Sequence, residues 1–287
     1  MADVSSIDVG VLYNGELADV ITTDCDLIDA VSLIPETLWH ESTERPRYRP
    51  IPDAFQAFDE VAAAKPVVLH GVGLSIGSGV PLDWEHLERV IATIDRYGAR
   101  WYSEHLAAFR VSQHASGPSH AGVGLPIPFD VATLRLLVPK LEAVVAELDV
   151  PFLLENSAIY VDIPGQEMTE AAFLNRISEE TGAGVLLDLH NLMVNEVNLG
   201  WDAEAYLSEL DLRSVVEVHV AGGEMLGAWY TDAHSGACPE RVWNLLELVA
   251  TAASDLRLMT FEIHESRVPV LGISGVREQL SRLHHAE

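Results

Sequence analysis

Residues 184–191 read GVLLDLHN and residues 215–220 read VVEVHV. Both are short, mainly aliphatic runs, which is how a parallel strand covered by helices on both faces is written. Both also carry side chains that bind metals: Asp188, His190 and Asn191 in the first, Glu217 and His219 in the second. These two strands are expected over residues 184–190 and 214–221; working outward, similar runs recur at residues 9–13, 30–35, 66–74, 100–109, 151–156 and 257–264, which makes a set of eight. Helical patterns lie between most of them. The clearest are residues 82–97 (LDWEHLERVIATIDRY) and 131–148 (VATLRLLVPKLEAVVAEL), the second expected to kink at Pro139. Eight strands alternating with helices in 287 residues predict an α/β fold, a single (β/α)8 TIM barrel over residues 1–287. A doubly wound open sheet is the rival, disfavoured because no glycine fingerprint opens a helix.

The composition is 48% hydrophobic and 21% charged, which excludes disordered, collagen-like and low-complexity classes. No run of about 18 uncharged apolar residues suggests a transmembrane helix. The opening MADVSSIDVG lacks the basic and apolar regions of a secretory signal. Cys25 and Cys238 stand far apart without metal spacing, so a disulfide framework is excluded and a reducing cytoplasm is expected. Asp and Glu number 44 against 17 Lys and Arg, a net charge of −27. Such a surface repels phosphate backbones and anionic lipid, so neither nucleic acid nor membrane is an expected partner; solvated acidic helix faces and a preference for a basic substrate or partner both account for it. HGVGLSIGSG at residues 70–79 has neither a P-loop lysine nor a G-x-G-x-x-G register, and reads as a tight turn at a strand end. Residues 111–125 (VSQHASGPSHAGVGL) are polar and patternless, and are expected to form a loop over the barrel mouth.

Most of the strands close on residues able to bind metal. His70 closes PVVLH, Glu104 and His105 close WYSEH, and Glu155 and Asn156 close FLLEN. Asp188, His190 and Asn191 close LLDLHN; Asp232 and His234 follow in TDAHS, and Glu262 and His264 lie in TFEIHE. A lone residue of this kind is ordinarily a satisfied hydrogen-bonding group. In a barrel, however, all these strand ends converge on one mouth, where so many unpaired carboxylates would repel one another and be costly to bury. Bound divalent cations remove the conflict. Imidazole and carboxylate without thiolate suit iron, manganese or zinc, and the number of donors points to two or three ions sharing bridging carboxylates. Residues two apart on a strand share a face, so Glu217 with His219, and Glu262 with His264, can both point inward, one of each pair orienting its neighbour.

The ordered runs HGVGLSIGS, SEHL, LLENSA, LLDLHNLMVNEVN, EVHVAGG and DAHS, between residues 70 and 235, resemble the multinuclear non-heme iron-dependent oxidative enzymes. This is the peptide-modifying, methanobactin-biosynthesis-type family, formerly a domain of unknown function, and the similarity extends from about Gly10 to the strand around Glu262. The resemblance implies a xylose-isomerase-like TIM barrel holding two or three iron ions, mixed Fe(II)/Fe(III), with O2 as co-substrate. It implies oxidation of a ribosomally synthesised precursor peptide, at a side chain such as Cys or at the backbone, commonly with a separate protein that recognises the leader peptide. Carried over residue by residue, the implied metal ligands are His70, His105, Glu155, Asp188, Asn191, His219, Asp232, His234 and Glu262. Two positions depart from the family pattern: His190 stands where relatives usually have Asn, and Glu262-Ile263-His264 replaces an acidic-Trp-Asp ending. The extra imidazoles His190 and His264 are candidate proton donors, as is His120, which aligns with a loop histidine of relatives.

Three other functions share parts of this pattern. The ligand order also resembles the zinc-dependent apurinic endonucleases, but gripping DNA needs a basic surface that this chain lacks. A divalent-metal sugar isomerase or hydrolase of the same barrel class is the enzymatic alternative, although HGVGLS, LLEN and EVHVAGG fit it poorly. A non-catalytic metal- or peptide-binding protein is the alternative from another class.

Overall fold

In the computed structural model, which describes residues 7–23, 26–113 and 117–286 (side chains at 112, 113 and 117–120 excepted), the apolar runs form eight parallel strands closed into a barrel. These are β1 (Asp8–Leu12), β2 (Ala30–Leu33), β3 (Val67–Gly71), β4 (Tyr102–His105), β5 (Phe152–Glu155), β6 (Gly184–Asp188), β7 (Val215–Val220) and β8 (Leu258–Phe261). Each pairs with its sequence neighbours, and β1 closes on β8. Helices cover the outside, among them α1 (Ala18–Thr23), α2 (Pro52–Ala64), α3 (Trp84–Tyr97), α4 (Val131–Glu147), α5 (Glu170–Thr181), α6 (Leu189–Leu199), α7 (Ala203–Glu209), α8 (Glu240–Ala252) and α9 (Val268–His284). No described helix is long and apolar enough to cross a membrane.

Two layers of the barrel interior set the position of the polar strand ends. Ala30, Val68, Trp101, Leu153, Leu186 and Leu258 form a small apolar cluster, all at most 2% exposed. Nearer the C-terminal strand ends, the register places His105 beside Glu155, Asp188 beside His219 and His219 beside Thr260. Alternation then decides which of these polar side chains turn inward.

Several expectations are corrected. The strand expected over 184–190 stops at Asp188, whose carboxylate accepts from Asn191 N at 2.8 Å and caps α6. His190 and Asn191 therefore sit in the first turn of a helix. The strand expected over 100–109 ends at His105, and the chain re-enters extended structure at Ala108. Residues 111–125 are not a patternless loop: Ala108–Gln113 and Gly117–Leu125 pair as an antiparallel hairpin, because cross-strand pairing satisfies a backbone that the side-chain pattern does not announce. Pro139, the expected kink position, lies inside α4, which continues past it to Glu147. Cys238 is buried and free, while Cys25 lies outside the described residues.

Leu186→Ala is expected to cost about 2–5 kcal/mol of unfolding free energy by removing a side chain from the closed interior. Urea denaturation measures this, and the metal content of the folded protein should stay at its wild-type value.

Candidate metal centre at the barrel mouth

Three imidazoles at the mouth are each tied at their outer nitrogen. His70 Nδ1 lies 2.9 Å from Ser103 Oγ, and Ser103 gives its own proton to the Leu69 carbonyl at 3.2 Å. His70 therefore donates from Nδ1 and presents a bare Nε2 inward. His105 Nδ1 donates to the Gly71 carbonyl at 3.2 Å, which can only accept, so Nε2 is the nitrogen that faces inward. His219 Nε2 lies 3.1 Å from Glu217 Oε1, and Glu217 is held by Trp101 Nε1 and Thr260 Oγ1, each at 2.7 Å. Holding the outer nitrogen of an imidazole in this way orients a metal ligand and raises its basicity.

The inner nitrogens converge on carboxylates. Glu155 Oε2 is 3.5 Å from His70 Nε2 and 3.0 Å from His105 Nε2, while Glu155 Oε1 is 3.8 Å from His219 Nδ1. Glu262 joins two neighbourhoods, with Oε1 3.2 Å from His219 Nδ1 and Oε2 3.4 Å from His234 Nε2. Asp232 Oδ1 lies 2.8 Å from His234 Nε2 and 3.0 Å from His190 Nδ1. Donor atoms from His70, His105 and Glu155, from His70, His219 and Glu262, from Glu155, Asp188 and His219, and from His190, Asp232 and His234 lie within 4.8 Å of one another in each group. His70, Glu155 and His219 each belong to more than one group, so the groups at the mouth form one continuous cluster.

Electrostatics support the same fit. Burial drives His70 down to about 4, so it is neutral. Burial also opposes charge on His105, but Glu155 outweighs it and lifts the group to about 9. Against the same burial, His234 is raised to about 10 by Asp232 and Glu262, and His219 rises well above its ordinary range beside Glu262 and Glu217. Despite burial, the histidines hold Glu155, Asp232 and Glu262 low. Asp188 goes the other way, pushed well up by burial and by the charges of Glu155, Asp232 and Glu262. Protons on the histidines thus balance the carboxylates, a task that cations perform with directional bonds. Glu155 Oε2, His219 Nδ1 and His234 Nε2 are buried with ionic neighbours but no hydrogen bond, and Asn191 Oδ1 is buried and makes none either. Such atoms are costly to bury, and a thiol-free set of imidazole, carboxylate and amide oxygen fits iron, manganese or zinc.

A cavity of about 270 Å³ opens onto this cluster, lined by His70, His105, Glu155, Asp188, Asp232, His234 and Glu262, with Leu12, Ile34 and Ile263 among its apolar walls. Of the residues implied by sequence, Asn191 is buried, its Nδ2 donating to the Asn156 carbonyl at 3.1 Å. His190 is fully buried and engaged at both nitrogens, by Asp232 and by the Tyr230 hydroxyl at 3.3 Å. His264 is exposed at the rim, its Nδ1 2.9 Å from Ser266 Oγ. His120 lies on the hairpin opposite Arg110, and its side chain is outside the described set. His234 adopts φ +45°, a strained backbone for a non-glycine residue and one associated with sites. Sequence reasoning missed Ser103, Tyr160, whose hydroxyl accepts from Asp232 N at 2.8 Å, and Tyr230. Only Ser103 carried a signal, since it sits two residues before His105 on the same strand face.

Ser103→Ala, which frees the outer nitrogen of His70, should weaken metal affinity roughly 10–100-fold in a chelator competition while leaving the number of ions at saturation unchanged. A pH dependence is expected as well. Ions must displace the protons held by His105, up to about 9, and His234, up to about 10, so apparent affinity rises with pH below those values. The slope is roughly tenfold per pH unit for each proton displaced. Chelator extraction should therefore be complete at lower chelator concentration at pH 6 than at pH 8.

The fold is shared with solved structures whose sequence similarity is low. The chain matches a D-psicose 3-epimerase solved in the presence of D-fructose (TM-score 0.56, 11% identity, 98% of this chain and 96% of that one). It also matches endonuclease IV from Thermus thermophilus (TM-score 0.57, 18% identity, 97% and 98%). These likenesses give the xylose-isomerase-like barrel and nothing about the reaction. Sequence relatives are nearer. A UPF0276 protein of Paraburkholderia phytofirmans is 34% identical over 229 residues, 75% of this chain and 71% of that protein. A UPF0276 protein of Chromobacterium violaceum is 38% identical over 183 residues, 64% of each. The matched stretch thus spans about two thirds of the length of such relatives. Residues 9–270 match the model of the family described as RiPP precursor modification enzyme MbnB/TglH/ChrH, and the chain belongs to that family.

Proposed function

We propose that the protein is an iron-dependent, O2-using oxidoreductase that modifies a ribosomally synthesised peptide, at a side chain such as Cys or at the backbone. The observation that carries this reading is the set of three imidazoles, each tied at its outer nitrogen and aimed inward at Glu155 and Glu262. In it, His70, His105, Glu155, Asp188, Asn191, His219, Asp232, His234 and Glu262 hold two or three iron ions. Bound iron supplies the redox and Lewis-acid chemistry that no side chain of this site provides.

The chain's own residues do the rest. A cavity of about 270 Å³ is suited to one residue of an extended peptide rather than to a folded domain, so the substrate enters side chain first. Leu12, Ile34 and Ile263 keep water from the inner wall, and the carboxylates opposite them hold the polar face. His190 positions Asp232 through Nδ1, with Tyr230 holding the other nitrogen. His264, exposed at the rim, is placed to exchange a proton with the entering residue, and His120 on the hairpin is the other candidate for that task. The charge of −27 favours a basic leader or a separate leader-recognising protein over nucleic acid or membrane, and the cytoplasm is the compartment proposed.

Protein made in iron-supplemented cells and purified without chelators is expected to carry two or three irons per chain by plasma mass spectrometry. Co-expressed precursor peptide should show an oxidative mass change that is lost on Glu155→Ala and in the absence of oxygen. Zinc alone, with no peptide change after iron reconstitution, would move the case to a hydrolase or isomerase of the same barrel class. Metal retention with tight peptide binding and no turnover would move it to a binding protein.

A further inference from the structure

Glu104 precedes His105 on β4, and strand alternation sends its side chain away from the mouth, toward Tyr102 on the same strand and His86 on α3. There it meets Glu36, from the turn after β2. One donor atom from each of Glu36, His86 and Glu104 lies within 4.8 Å of the other two, the same closeness that the donor groups at the mouth show. The partners of these side chains are lopsided. Glu36 Oε1 accepts from Gly73 N at 2.9 Å and lies 2.9 Å from His86 Nε2. Glu104 Oε1 accepts from Leu74 N at 2.7 Å and from the Tyr102 hydroxyl at 2.8 Å. The second oxygens, Glu36 Oε2 and Glu104 Oε2, are buried and make no hydrogen bond, and neither does His86 Nδ1. Glu104 is 0% and His86 1% exposed, while the Glu36 side chain keeps 17% and so gives a way in from solvent.

Gly73 belongs here for a steric reason: a Cβ on it would stand 2.5 Å from His86 Cε1 and 2.8 Å from Glu36 Oε1. The turn HGVGLSIGSG thus closes over a carboxylate–imidazole nest through Gly73 N and Leu74 N rather than over a phosphate. The hydrogen bonds to Glu104 come from neutral donors, a phenol and a backbone amide, so they do not balance its charge. We propose that Glu36, His86 and Glu104 bind a divalent cation of the zinc or manganese class, at a site separate from the mouth that pins the turn after β3. Two carboxylates and an imidazole without thiolate are the donor set such ions take. The site stands whatever ions the mouth holds and whether or not the protein is an oxidase.

The test is metal analysis of the full chain in which Glu155→Ala, Asp188→Ala, Asp232→Ala and Glu262→Ala have disabled the mouth, after equilibration with Mn2+ or Zn2+ and removal of excess. One equivalent should remain, and adding Glu36→Gln and Glu104→Gln should remove it. Retention of no metal by the first protein, or of the same equivalent by the second, overturns the site. Should either variant fail to fold, wild-type crystals soaked in Mn2+ decide the matter: an anomalous peak between the three side chains supports it, and peaks at the mouth alone overturn it.

Discussion

Glu155 is a carboxylate only 1% exposed, and it is faced by nitrogens of three imidazoles within 3.8 Å. Much of the polar structure in the barrel follows from holding it there. Two like-charged neighbours, Glu262 and Asp232, are brought close through His219 and His234, and burial together with the charges of Glu155, Asp232 and Glu262 raises Asp188 well above the usual carboxylate range. Such a cluster is stable only when positive charge is delivered to its centre, whether as protons on histidine or as metal ions. Glu155 Oε2 and His219 Nδ1, buried with ionic neighbours but no hydrogen bond, mark the centre of that cluster.

The barrel supplies this geometry in layers. Below the mouth, Trp101 and Leu186 belong to an apolar plug, yet Trp101 also donates from Nε1 to Glu217, so the plug steers the residue that orients His219. At the strand ends, parallel register sets His105 beside Glu155 and Asp188 beside His219 without help from any loop. Above, the termination of β6 by an aspartate that caps α6 turns Asn191 toward Asn156 and His190 toward Asp232. The carboxylate of Asp188 therefore serves a helix start and the site at once, a dual role that short strands followed directly by helices make available. The nest of Glu36, His86 and Glu104 shows the same double use on the outer face of β4, where Glu104 supports the turn that carries the residues after His70.

Much of this was legible in the amino-acid sequence because the period of a buried strand and the chemistry of its last residue are both local. GVLLDLHN announces a strand and its donors within eight letters, and the same logic finds His70, His105, Glu155, His219 and Glu262. It does less well where the local pattern is silent. Residues 111–125 look structureless yet pair as a hairpin, since a two-stranded ribbon at the surface needs no apolar face to close its hydrogen bonds. His190 and His264 look alike as strand-end histidines, but one is fully buried with both nitrogens engaged and the other stands in solvent at the rim. Glu104 and His105, adjacent in sequence, serve different clusters because a strand sends them to opposite faces.

The sequence by itself therefore determined the eight strands, the barrel they close, and the pool of imidazoles and carboxylates at its mouth, because strand period and residue chemistry are properties of short segments. Only the tertiary structure decided which nitrogen of each histidine faces inward, through partners such as Ser103, the Gly71 carbonyl and Glu217. It also decided which carboxylates the imidazoles hold low and which one burial raises. Those outcomes depend on distances of a few ångströms between residues more than thirty positions apart in several cases, set by closure of the barrel and not by any run of neighbours in the chain.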